Sequence, residues 1–326
     1  MSKCIDGIIG HAIGDAMGTP VQFKDRKLFY KPVKEMLSSR AGDKGTWSDD
    51  TSMEIATIDS FINCKGWNYD DIMNNFKQWL KEAKYTSRGI TFDVGRTCLA
   101  AVRNYMNGTP ALESGLNDMN SNGNGSLMRI QPVAYYCFYK KLNNKEIYNL
   151  VKDISSLTHR HELAVLGCYI YTLYMIKLLE GIDKQEAYKI IQKEDYSMFS
   201  DESKEYYKRI IKDDLNTLKV DQIKSSGYVV ESLEAAMWVL LKAKDYKETI
   251  IGAVNLGGDT DTIAAIAGSM AGIIYGIETF PNDWVDALAQ KDYLVELATR
   301  FEKLIKWVDN MKKQTKNPQL LIKSPF

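Results

Sequence analysis

The stretch from Leu256 to Gly276, LGGDTDTIAAIAGSMAGIIYG, constrains this chain more than any other. From Ile263 to Tyr275 it carries no charge on any face, which predicts a helix buried all round rather than one with a single apolar stripe. Gly257 and Gly258 permit a tight turn in front of it. Asp259 then stands at the N-cap position, with Asp261 and Thr262 in the first helical turn. Two carboxylates and a hydroxyl therefore sit at the mouth of an apolar core. Alone they have two readings: a cap with a dipole-complementing charge, or half of a polar site. A second acidic cluster, Ser48-Asp49-Asp50-Thr51, also opens a hydrophobic segment and favours the site.

A helix buried on every side needs a large core around it, and the composition supplies one. The chain has 326 residues, 45% hydrophobic and 26% charged, as in ordinary globular proteins. Lys+Arg and Asp+Glu balance at 42 each, so no polybasic surface for nucleic acid or membrane is expected. Cys4, Cys64, Cys98, Cys137 and Cys168 are dispersed and form no CxxC pair; they fit reduced thiols better than a disulfide framework or a zinc site. Asp6 and Asp15 interrupt the apolar residues at the start, so no secretory leader is read there. The apolar run around Ile263 is shorter than the ~20 residues of a membrane span. A cytoplasmic protein is expected.

The rest of the chain predicts helices at 3–18, 51–62, 68–81, 97–106, 127–139, 145–157, 162–180, 184–193, 232–242, 246–256 and 293–311. Residues 19–46 and 86–96 are expected as loops, and 194–225 as a charged excursion with short helices. No β alternation, repeat or linker composition is present. The expectation is all-α, with one many-helix domain over 1–312 and a tail over 313–326. Gly7, Gly10, Gly14 and Gly18 recur along the first helix; each costs about 1 kcal/mol relative to alanine, which makes sense only where a neighbour packs very close. Asp15, among them, is either a helix-end cap or a support for a polar site.

Hard oxygen donors in two clusters point to hard cations. Ser48, Asp49 and Asp50 suit one ion, and Asp259, Asp261 and Thr262 another; Mg²⁺ or Mn²⁺ fits both. His11, His159 and His161 form no HExxH pattern, which argues against zinc. The loop Asn120–Ser126 runs into the predicted 127–139 helix and has two readings: a plain loop-to-helix junction, or backbone N–H groups at a helix start that suit an anion.

Taken in order, GHAIGDAMGTPVQF (10–23), TWSDDTSM (46–53), TFDVGRT (91–97), NGNGSLMRIQP (122–132), LTHRHELAVLG (157–167), SGYVVESLEAAMW (226–238) and NLGGDTDTIAAIAGSMAG (255–272) resemble the ADP-ribosylglycohydrolase family. The resemblance implies an all-α fold and two Mg²⁺ or Mn²⁺ ions in a cleft that receives ADP-ribose. It carries the metal-ligand role onto Ser48, Asp49, Asp50, Asp259, Asp261 and Thr262, with Asp261 as the bridge and Asp49, Asp50 and Asp261 as the catalytic acids. It places Gly123, Asn124, Gly125 and Ser126 around the diphosphate or ribose, and Asp93, His159 and Tyr228 beside substrate. Against those roles, His159 alternatively bonds its own loop, Tyr228 alternatively packs in the core, and His161 is expected to be structural. The family usually has glutamate where this chain has Gln22, and an amide cannot exchange a proton as a general acid or base. The implied activity is hydrolysis at C1″ of ADP-ribose joined to an arginine or serine side chain of a protein. The alternatives are an ADP-ribose-binding relative that has lost catalysis, and a hydrolase of small derivatives such as O-acetyl-ADP-ribose.

Overall fold

Two segments at opposite ends of the sequence, Lys3–Gly18 and Thr260–Tyr275, pack backbone to backbone at the centre of the molecule. The computed structural model describes residues 2–315, with side chains through Trp307. Its helices are α1 (Lys3–Gly18), α2 (Asp49–Cys64), α3 (Tyr69–Glu82), α4 (Arg96–Met106), α5 (Gln131–Lys140), α6 (Asn144–Ser156), α7 (Glu162–Leu179) and α8 (Lys184–Ile191). Then come α9 (Asp201–Tyr206), α10 (Lys208–Ile211), α11 (Val229–Lys242), α12 (Tyr246–Val254), α13 (Thr260–Tyr275), α14 (Asn282–Ala287) and α15 (Lys291–Thr315). The fold is all-α. A ribbon of two residues a side, β1 (Lys24–Asp25) antiparallel to β2 (Gly257–Gly258), is the one named pairing among the described residues.

Three of the four glycines of α1, Gly10, Gly14 and Gly18, are explained by α13, while Gly7 makes room for Gln131 and Tyr135 of α5. A Cβ on Gly14 would lie 2.1 Å from the Ala264 carbonyl oxygen, and one on Gly10 2.4 Å from that of Gly268. The fit is reciprocal, since a Cβ on Gly268 would lie 2.3 Å from the Gly10 oxygen and one on Gly272 2.2 Å from that of Asp6. These approaches are to backbone, which cannot rotate away. Helices α11 and α12 cover the rest of α13, and α15 packs on α1. Residues Thr260 to Ile273 of α13 are buried, as an uncharged helix requires. Helix α7 is long and apolar enough to cross a bilayer, but its side chains are buried in the protein.

Several boundaries differ from those expected. The predicted 127–139 helix is a 3₁₀ turn at Leu127–Arg129 followed by α5, because Pro132 lacks an N–H and belongs in the first turn of a new helix. Helix α2 starts at Asp49, so its two acids lie inside the first turn. Helix α14 and the β1–β2 ribbon carried too short a pattern to be read. The last helix continues to Thr315, into the segment assigned to the tail; residues 316–326 lie outside those described.

Candidate active site

The N-termini of α2 and α13 bring the two acidic clusters together. Thr262 Oγ1 donates to Asp50 Oδ2 across 3.3 Å, and Ser48 Oγ donates to the same oxygen at 3.3 Å. Asp49, Asp50, Asp259, Asp261 and Thr262 line one cleft of about 310 Å³ together with Gly123, Asn124, Gly125, Asp93 and His159. Segments more than two hundred residues apart thus form one wall.

Asp15 holds the first of these clusters in shape. Its carboxylate accepts from Ser48 N (2.9 Å), Thr51 N (3.1 Å), Thr51 Oγ1 (2.7 Å) and Thr19 Oγ1 (3.1 Å). Asp15 therefore caps α2 from another helix, and it joins the two roles that its sequence context left open. Asp15→Asn replaces one acceptor oxygen with an amide NH₂, a donor, facing those N–H and O–H groups. A loss of about 2–3 kcal/mol is expected, because hydrogen bonds to a charged group are the stronger ones; urea denaturation reads it, and an unchanged midpoint would contradict this role.

Asp259 occupies the N-cap position of α13, yet its side chain makes no capping bond. Its Oδ2 instead accepts from Asn124 Nδ2 at 2.5 Å, and that amide also donates to Ser232 Oγ at 2.9 Å. The simple capping account of Asp259 is thereby corrected. Asp261 Oδ1 accepts from Thr262 N at 2.9 Å. Behind Asp261, a Cβ on Gly18 would lie 2.3 Å from its Cα, so the α1–α13 contact fixes the acid directly.

Burial and mutual repulsion raise the proton affinity of this cluster. Asp49, Asp50 and Asp261 are pushed well above the usual carboxylate range, first by burial and then by neighbouring acids; Asp259 is raised by burial against the bond from Asn124. No Lys or Arg ion pair to any of the four exists among the described residues. Asp50 Oδ1 is buried without a hydrogen-bond partner.

The remaining predicted residues divide. Gly123, Asn124 and Gly125 line the cleft, but Ser126 turns inward, bonding Ser155 Oγ at 2.9 Å and Cys168 Sγ at 3.4 Å. Ser48 supports Asp50 rather than forming the wall. The Asn124 N–H, expected to face an anion, donates to Gly227 O at 3.0 Å. Gly123 pairs with Tyr228, and Gly227 rather than Tyr228 lines the cleft. Asp93 lines it in a left-handed conformation (φ 55°). His161 caps α7, accepting from Leu163 N through Nδ1 at 3.3 Å. Gln22 lies beside the cleft without lining it, and its Oε1 is buried and unpartnered.

Phe23 is the residue that sequence reasoning passed over. It is 70% exposed, has φ 61°, lines the cleft and donates its N–H to Gly258 O at 2.6 Å. An exposed aromatic in a left-handed conformation is uncommon and gathers at functional sites; its only sequence signal was its place beside Gln22. Arg96, Cys98, Asn120 and Met128 also join the lining.

His159 is buried, and burial followed by the Arg129 charge pushes its imidazole down to about 3. Between about pH 6.5, where an unfolded histidine titrates, and about 3, the unfolded chain binds this proton and the folded chain does not. Its contribution to stability is therefore fully present above about 6.5 and is lost as pH falls through that window. Urea denaturation at stepped pH is expected to show a wild-type slope steeper than that of His159→Gln, by up to about 1.4 kcal/mol per pH unit. Parallel slopes would mean that the imidazole titrates freely in the fold.

Comparison with known proteins shows the family. The family model described as ADP-ribosylglycohydrolase matches residues 1–310. An ADP-ribosylarginine hydrolase of Pseudomonas putida is 30% identical, over 91% of this chain and 77% of its own length. The ADP-ribosyl-[dinitrogen reductase] glycohydrolase of Rhodospirillum rubrum is 27% identical, over 89% of this chain and 91% of its own. A solved structure titled ADP-ribosylglycohydrolase-related protein complex superposes with a TM-score of 0.76 at 24% identity, covering 93% of this chain and 98% of that one; it shows the shared fold. With two acidic helix starts and a glycine-rich loop lining one cleft, the chain belongs to the ADP-ribosylglycohydrolase family, a family of glycosidic hydrolases.

Proposed function

We propose that this protein removes ADP-ribose from a modified protein side chain by hydrolysis at C1″, with an arginine linkage as the first substrate to test. The observation that carries the reading is the meeting of Asp49 and Asp50 with Asp259, Asp261 and Thr262 in a cleft that the Gly123–Gly125 loop also lines. The arginine linkage rests on the name of the Pseudomonas putida relative.

The residues present fit a pair of hard divalent cations. The donors are all oxygen, they lack cationic partners among the described residues, and Asp50 Oδ1 is buried with nothing to bond. No three Asp, Glu, His or Cys side chains among the described residues form a compact ligand group, so Ser48 and Thr262 hydroxyls would complete the set around Asp49, Asp50, Asp259 and Asp261. Bound there, Mg²⁺ or Mn²⁺ would neutralise the acidic cluster and polarise ligand oxygens.

The protein's own contribution is placement and proton transfer. Asp15 and Asn124 fix the first and second acidic groups before substrate arrives, so little reorganisation accompanies the reaction. Asp49, Asp50 and Asp261 line the cleft, and in this reading their Oδ atoms take the proton of attacking water and return one to the leaving group. Gln22 has no part in that transfer, being an amide outside the cleft lining.

The test is a panel of ADP-ribosylated arginine, serine and cysteine peptides with O-acetyl-ADP-ribose, assayed for release with Mg²⁺, Mn²⁺ or chelator, beside calorimetry with ADP-ribose. Metal-dependent release from the arginine peptide is expected. Tight ADP-ribose binding with no release from any member would sink the hydrolase and select a binding protein.

A further inference from the structure

The cleft imidazole is held from behind by a buried chain of polar groups. His159 Nδ1 lies 2.9 Å from Thr158 Oγ1, and Arg129 Nη2 donates to that same oxygen at 2.8 Å. All three residues are buried. Arg129 has no ion-pair partner among the described residues; its Nη2 also donates to Ile154 O at 3.1 Å, its cation lies over the Phe76 ring, and Nε and Nη1 have no partner. A buried guanidinium without an anion is an unfavourable placement, which asks for a role other than pairing.

Its donor-only chemistry supplies one. A guanidinium cannot accept a hydrogen bond, so Thr158 Oγ1 receives from Arg129 and keeps one proton to give. Two acceptors lie within reach, His159 Nδ1 and the Cys98 sulfur. Sulfur is a weak acceptor, whereas an unprotonated imidazole nitrogen is a good one. The imidazole is neutral, since burial and Arg129 both oppose its charging. On the far side of the ring, Nε2 faces the cleft wall: a Cβ on Gly123 would lie 3.6 Å from it and one on Gly125 3.5 Å.

We propose that Arg129 and Thr158 are positioning residues that lock His159 in its Nε2–H tautomer, through donors running Arg129 to Thr158 to Nδ1. The cleft then meets a permanent neutral donor at Nε2, suited to a ligand oxygen such as a ribose hydroxyl or a phosphate oxygen. Only the identity of that ligand rests on the function proposed above. Glycine at 125 belongs to the same device, because a Cβ there would lie 2.9 Å from His159 Cε1 and 2.7 Å from Cys98 Sγ.

The chain has three histidines, so its ring nitrogens can be assigned one by one. Long-range ¹⁵N–¹H correlation spectra of the full chain labelled at histidine, with His159 identified by loss of its signals in His159→Gln, are expected to show a protonated Nε2 and a bare Nδ1. Thr158→Val removes the donor and should produce a mixture of tautomers, with ADP-ribose affinity in Mg²⁺ lower by about five- to tenfold. Thr158→Ser, which restores the hydroxyl, should recover both. An Nδ1–H tautomer in the wild type, or an unchanged tautomer in Thr158→Val, overturns the relay. The wild-type spectrum decides even where a variant fails to fold. An Nε2–H tautomer in a chain that binds no ADP-ribose supports the relay and overturns the functional reading instead.

Discussion

Asp261→Asn is expected to lower ADP-ribose release by roughly two to three orders of magnitude while leaving the helical content unchanged. Asparagine keeps the shape of the buried side chain, and the backbone at this point is fixed by the contact of Gly18 with Asp261 Cα. What changes is one negative charge among acids already raised by burial and by one another. The variant should therefore fold at least as well without divalent ions as the wild type does, and should gain less stability when Mg²⁺ is added. Circular dichroism, a release assay and melting with and without Mg²⁺ read the three consequences separately. Wild-type release from this variant would remove Asp261 from the chemistry.

Gly14→Ala should have the largest effect on stability. Helix propensity alone favours alanine by about 1 kcal/mol, yet its Cβ would stand 2.1 Å from Ala264 O and 2.4 Å from Ala264 C. Both atoms are backbone of α13, so the two helices must separate along their shared seam. The overpacking outweighs the propensity, and a net loss of about 3 kcal/mol is expected. Gly66→Ala is the control, because a Cβ there meets nothing within 4 Å; its change should stay within about 0.5 kcal/mol. Equal urea midpoints for the two variants would mean that α1 and α13 do not need their close approach. Activity is the second readout, since the seam that Gly14 packs into ends at Gly18 and Asp261.

The sequence alone determined the class of fold, because period and charge sufficed. A segment with no charged face has only a core to enter, and α13 is buried accordingly. Four glycines in one helix required close neighbours, and these are α13 for Gly10, Gly14 and Gly18 and α5 for Gly7. Short elements were lost for the same physical reason: α14 and the β1–β2 ribbon are too brief to show a period. Family motifs supplied Asp93 and His159, which local chemistry did not single out, and the structure sets both on the cleft wall. Other matters depended on which atoms meet across long separations. That Asp50 and Thr262 touch, that Asp15 caps a helix other than its own, and that Asp259 bonds Asn124 instead of capping α13 are tertiary facts. So are the inward turn of Ser126 and the exposure of Phe23 at the mouth of the cleft. A local pattern records how a segment relates to solvent and to its own backbone; the partner of a side chain is set by packing between segments, and that packing turned two acidic helix starts into one site.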